Sequence, residues 1–266
     1  MNSMDSFVDD RDYKLLESDK YTFFVLKRIM GGEGKLLLSD HERLILCLTG
    51  HPFPVWIWTP DDASEEEMER AYLLAKNNNL LTGEYRFNVK YSLAEYFINR
   101  AAEEGCKLSI LTNMYAYDCL DPKEPKTKAE GAIHRCDMND VEELVVFMEK
   151  FHNEIGIDRK DVQGYRADAE SFIRTGNMFF WKDNQGNNVA SCKYAAAGDM
   201  ASINFVFTCP QERRKHYAEN LVYQVTLKVK EEGYIPMLYT DADYTASNAC
   251  YEKIGYVLRG KLCTIG

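Results

Sequence analysis

Residues Thr208–Leu221 read TCPQERRKHYAENL, a strand end followed by a basic turn and the opening of a helix. Upstream, Ser202–Phe207 (SINFVF) is a short apolar run rich in aromatic and β-branched residues, the composition of a buried strand. Downstream, Ala218, Leu221, Val222, Val225 and Val229 recur at helical spacing, which predicts a helix from about Arg214 to near Gly233 with one apolar face. Arg213, Arg214 and Lys215 sit at the junction. The first N–H groups of a helix have no partner inside it, and the helix dipole is positive there. Free amides and three cations at one helix start make an anion site, so a phosphate-bearing ligand is expected.

The rest of the chain sets the frame. Its 266 residues, 45% hydrophobic and 12% aromatic, are enough for one large or two smaller domains with a sizeable core. The net charge is −10, and 22 acidic against 14 basic residues fall in 1–125. Such a surface repels polyphosphate outside a local basic patch, so no nucleic-acid partner is expected. The acidic run Asp61–Glu69 reads as a solvated helix start with Ser64 as its cap. Eight cysteines are scattered with no C-x-x-C pair, as in reduced, packed thiols. The five histidines lack metal-ligand spacing, so no metal is expected. No leader-like signal and no membrane-length apolar run is present, and a cytoplasmic protein without a membrane partner is expected. Oligomeric state is left open.

Leu120–Lys128 (LDPKEPKTK) punctuates the chain with two prolines and several charges, and a domain boundary is placed at about residue 126, giving domains 1–125 and 126–266. In the second, a strand is expected from Ala132, a helix capped by Asn139 running through His152, and a helix at Ala167–Arg174. Strands follow at Met178–Lys182, Asn188–Ala195 and Ser202–Thr208, the first two joined across Asn184–Asn187. Beyond the long helix come a strand at Ile235–Thr240, a helix at Thr245–Lys253 and a closing strand at Tyr256–Thr264. The order is that of an α/β domain. In the first 125 residues, helices are expected at Tyr13–Met30, Glu65–Asn78 and Leu93–Glu104, and strands at Lys35–Leu38, Arg43–Leu48, Pro54–Trp58 and Lys107–Leu111. Gly31–Lys35 lacks phosphate-loop spacing and reads as a turn.

The second half resembles the GNAT superfamily of acyl-CoA N-acyltransferases. The family turn reads Q/R-x-x-G-x-G/A, and Arg213, His216 and Ala218 fall at its first, fourth and sixth positions. Thr208, Pro210, Tyr217 and Leu221 match the longer form T-P-P-x-x-R-G-K-G-Y-A-x-x-L, and Leu238–Tyr256 (LYTDADYTASNACYEKIGY) carries the family's S-N-x-x-Y helix and K-I-G-Y. The longer form has glycine where this chain has Arg214 and His216. Those side chains would stand where a backbone should approach a pyrophosphate closely, while adding a cation and a ring donor.

The resemblance implies a mixed, mostly antiparallel central sheet flanked by helices, preceded by a smaller, degenerate GNAT-like α+β domain. It implies acetyl-CoA as cosubstrate and the primary amine of a small or amino-acid-like molecule as acceptor. The pantetheine arm would lie along Val206, Phe207 and Thr208, and the phosphates in the turn Arg213, Arg214, Lys215, His216, Tyr217 and Ala218. Asn248 would address the cofactor arm, and Tyr251 would act as general acid. A phenol with a pKa of about 10 is protonated at neutral pH and can donate to a departing thiolate; Tyr251 can also be read as a half-buried helix tyrosine. Asp241, Asp243 and Glu154 all stay open as base, as does a water relay. Two alternatives remain: a CoA-binding sensor or scaffold without turnover, and transfer of a longer acyl group or transfer to a non-amine.

Overall fold

The computed structural model describes residues 4–32, 34–156 and 160–266. Glu33, within the turn expected at Gly31–Lys35, lies outside the described residues. The chain is mixed α/β, with mostly antiparallel sheet flanked by helices, and it divides into two compact units. One comprises Met1–Tyr117, Thr240–Tyr244 and Leu258–Gly266; the other comprises Asp118–Tyr239 and Thr245–Val257. The sequence boundary near residue 126 falls inside the second unit's first segment, and most of the closing strand lies with the first unit.

The first unit holds α1 (Asp10–Leu15), α2 (Phe24–Met30), β1 (Leu36–Ser39), β2 (Ile45–Leu48), β3 (Val55–Trp58), α3 (Glu65–Asn77), β4 (Phe87–Val89), α4 (Tyr91–Glu103) and β5 (Ile110–Asp118). The helix expected over Tyr13–Met30 is instead two short ones. Between them Asp19 turns its carboxylate to Trp58 Nε1 at 2.8 Å and Lys90 Nζ at 2.7 Å, a tertiary use that competes with helical continuity. Ser64 caps α3 in a capping box with Glu67, as the acidic run suggested. The strand expected at Lys107–Leu111 begins later and runs on to Asp118, because Thr112 and Asn113 break the apolar run but not the strand's period of two. The short β4 gave no sequence signal.

The second unit holds β6 (Ala132–Arg135), α5 (Val141–Ile155), α6 (Val162–Arg174), β7 (Met178–Lys182), β8 (Asn188–Ala197), β9 (Met200–Thr208), α7 (Tyr217–Glu231), β10 (Ile235–Asp241) and α8 (Thr245–Lys253). The last strand, β11 (Val257–Ile265), pairs with β4 of the first unit. In the second unit the strand order is β10-β9-β8-β7-β6. Asp137 caps the entry to α5 through a short 3-10 turn, in place of Asn139, because its carboxylate reaches the Asn139 N–H at 2.8 Å. The segment Leu120–Lys128 is tied down: Lys123 N–H donates to Ile254 O and Thr127 O accepts from Asn220.

Leu221, Val222, Val225 and Val229 of α7 are fully buried, and α7 packs on β8 and β9. A second layer of core forms where Leu144, Phe147 and Met148 of α5 meet Phe180, Phe205 and Phe207. Burying each such side chain contributes about 1.5–3 kcal/mol, which fixes α5 and α7 on the sheet and so fixes the loop between β9 and α7. Among the described residues, no helix is long and apolar enough to cross a membrane.

Candidate functional site

β9 and β10 run parallel but pair only over Met200–Ser202 and Ile235–Met237. Beyond that point β9 keeps its partner β8 on the other edge as far as Thr208. Among the described residues, the edge of β9 that would face β10 is therefore left open from Ile203 onward. A bulge accompanies the parting: the β8–β9 register shifts between Ser191 and Lys193, and Phe205 takes a φ of 53°. A bulge bends its strand and raises local twist, which turns the end of β9 away from β10. Val206, Phe207 and Thr208 all lie on this diverging end. Cys209 N–H bonds to β8 through Val189 O, so alternation puts the N–H and C=O of Thr208 on the open edge.

The chain then enters a 3-10 turn, Pro210–Glu212, and α7 begins only at Tyr217, three residues later than the apolar spacing predicts. The delay has a backbone cause. Arg213 is extended, with φ −69° and ψ 160°, while Arg214 and His216 are left-handed, with φ 65° and 64°. These are the two positions at which the longer family form has glycine. Each non-glycine residue held there is strained by about 1–2 kcal/mol. The turn keeps a glycine backbone without glycine. His216 is the N-cap and makes no capping hydrogen bond. The N–H groups of residues 214–219 have no partner among the described residues, and alternating backbone of this kind gathers N–H groups into an anion-binding concavity.

The cations of the turn are mostly neutralised. Arg213 pairs with Glu154 at the end of α5, and its Nε donates to Thr208 O at 3.2 Å. Lys215 donates to Glu212 at 2.7 Å, which holds its ammonium above the ordinary range. His216 Nδ1 lies 3.2 Å from a carboxylate oxygen of Glu219, itself only 8% exposed. Arg214 has no ion pair among the described residues and is exposed. A cleft of about 590 Å3 adjoins the turn, lined by Lys128, Glu130, Asp183, Gln185, Lys215 and Tyr217.

Asn248 and Tyr251 share a face of α8, and both are nearly buried. The α8 helix packs on α7. The Tyr251 ring lies 5.9 Å from that of Tyr256, whose hydroxyl meets Thr226 Oγ1 of α7 at 2.8 Å. Nearby thiols are poor nucleophiles: burial pushes Cys250 up to about 12, with Glu219 adding to the rise, and burial also raises Cys192 and Cys209.

The structure thus brings the β9 end and the turn into one continuous segment, with α8 beside α7. Of the base candidates, Glu154 is engaged by Arg213. Asp241 and Asp243 sit together in the first unit, where Asp243 accepts from Asn113 at 3.0 Å and its N–H donates to Asp241 at 2.9 Å. Sequence reading missed the carboxylates of the turn. Glu212 and Glu219 stand three residues from Lys215 and His216 and could have been found by spacing; Glu154 could not. Asp9, Asp12 and His41, at no ligand-like spacing, also gather within 4.8 Å in the first unit. Asp12 there accepts the Asp9 N–H at 2.7 Å and the Ser39 hydroxyl, and lies 2.8 Å from His41 Nδ1.

A family model, the FR47-like protein, matches residues 184–265, a stretch that contains the turn, Asn248 and Tyr251. Among solved structures, a GNAT-family acetyltransferase from Colwellia psychrerythraea superimposes with a TM-score of 0.60 at 11% identity, covering 99% of this chain and 98% of its own. A GCN5-related N-acetyltransferase from Sphaerobacter thermophilus gives 0.66 at 11% identity, over 98% and 94% of the two chains. The protein has the GNAT fold. A third GCN5-related N-acetyltransferase, from Kribbella flavida, gives 0.62 at 14% identity over 94% of both chains, so the GNAT architecture extends along nearly the whole chain. At such identities the likeness is one of fold. No curated protein matches the chain in sequence.

Proposed function

We propose that the protein is an N-acetyltransferase that moves an acetyl group from acetyl-CoA to the primary amine of a small, amino-acid-like acceptor. The observation that carries this reading is the left-handed backbone at Arg214 and His216 beside the parting of β9 and β10. In this reading the amides of residues 214–219 hold the diphosphate, Arg214 supplies the uncompensated charge, and the open edge at Val206–Thr208 receives the pantetheine arm.

When bound, the thioester supplies the acyl carbon. In this reading the Thr208 N–H polarises the thioester carbonyl oxygen from the open strand edge. Tyr251 holds a proton for the departing sulfur, and Asn248 on the same helix face orients the arm. Raised thiol pKa values at Cys192, Cys209 and Cys250 favour direct transfer to the amine over an acyl-cysteine route. The buried, reduced thiols suit a cytoplasmic setting.

Calorimetry with acetyl-CoA, followed by thiol release over a panel of primary amines, tests the reading. Binding in the micromolar range with amine-dependent release is expected. A folded protein that gives no heat with acetyl-CoA would overturn it. A second reading, a CoA-binding scaffold, is favoured by the engagement of Glu154 with Arg213, which removes one base candidate. Binding with no thiol release for any amine would select it.

A further inference from the structure

The two strained residues of the turn each sit beside a residue, or are themselves a residue, pinned by a carboxylate. We infer that Glu219 and Glu154 are positioning residues that hold the turn in its glycine-like backbone, doing by ion pairing what glycine does by conformational freedom; the consequence for CoA rests on the function proposed above.

The geometry supports this at both ends of the turn. His216, left-handed at φ 64°, has its ring on Glu219, which is nearly buried and fixed by the first turn of α7. The ring is thereby tied to a rigid element three residues on. Arg213, just before left-handed Arg214, is held on two sides, by Glu154 of α5 and by the Thr208 carbonyl. Two elements, α5 and α7, therefore fix the residues flanking Arg214 and Lys215. A flexible turn at these positions would relax toward negative φ, because residues other than glycine hold the left-handed region uncommonly and at an energetic cost, histidine less rarely than arginine. Lys215 has its own carboxylate, Glu212, but that pair lies within the turn and ties it to no neighbouring element.

Substitutions at His216 separate backbone from side chain. His216→Gly should keep CoA affinity within about threefold of the parent, while His216→Ala should lose about tenfold. Glu219→Gln should lose about tenfold alone and nothing further in the His216→Gly background. Glu154→Gln should act in the same direction. Amide hydrogen exchange of the ligand-free protein reads the pin directly: the Asn220 N–H, which donates to the His216 carbonyl at 3.1 Å, should exchange faster in Glu219→Gln while the core of α7 stays protected. If His216→Gly binds as poorly as His216→Ala, or exchange at Asn220 is unchanged by Glu219→Gln, the inference is overturned. If the parent binds no CoA but exchange responds as expected, the positioning role stands and the CoA reading falls.

Discussion

Ser202 and Met237 are the last residues at which β9 and β10 pair, and beyond them the two parallel strands part. Three residues further along β9, Phe205 turns left-handed inside the bulge while its ring packs against Phe151 at 5.0 Å. The parting is thus built into the second unit's core, which anchors the bend.

Phe205→Ala should therefore destabilise the protein by about 3 kcal/mol or more, the range for deleting a buried phenylalanine ring. Urea denaturation followed by tryptophan fluorescence would measure it. A loss under about 1 kcal/mol would mean the ring does not anchor the bulge.

Arg214 carries the uncompensated charge of the turn. Arg214→Gly removes that charge while keeping the backbone unstrained, and it should weaken CoA about tenfold or more, in keeping with a charge-assisted hydrogen bond. The dependence of affinity on salt should flatten with it. Equal affinity and equal salt slope would remove Arg214 from the phosphate site.

Tyr251→Phe keeps the ring that packs beside Tyr256 and deletes only the hydroxyl. The turnover number should fall by roughly a hundredfold with CoA affinity little changed. Unaltered turnover would assign the proton to another donor.

Stability should fall on acidification through His152. Its ring sits 3.1 Å from the Tyr165 hydroxyl, and burial, with Lys160 adding to it, holds its pKa below the ordinary 6.5. The folded state then binds fewer protons than the unfolded state in the window from about 6.5 down to the lowered value, so stability is full above that window and is lost as pH drops through it. Melting temperatures at pH 7.5 and 5.0 should differ less in His152→Gln than in the parent. An identical difference in both would show that His152 does not contribute.

Much of this was readable from residues alone, where a feature is local. The Ser64–Glu67 capping box, the apolar face of α7 and the turn between β7 and β8 all follow from spacing within a few residues. Errors came where a distant partner overrode local preference. Asp19 abandons a helix for Trp58 and Lys90, and β4 exists only because β3 and β11 flank it. Apolar periodicity starts α7 three residues early because it does not report the sign of φ at Arg214 and His216.

The sequence by itself determined that a strand, a basic turn and an amphipathic helix follow one another at Ser202–Val229, since these depend on propensity and period. Only the tertiary structure decided that β9 and β10 separate after three pairs, and that Glu154 closes on Arg213 from 59 residues away. Those features depend on which surfaces meet, and a linear pattern of residue types does not encode the distance between elements that packing brings together.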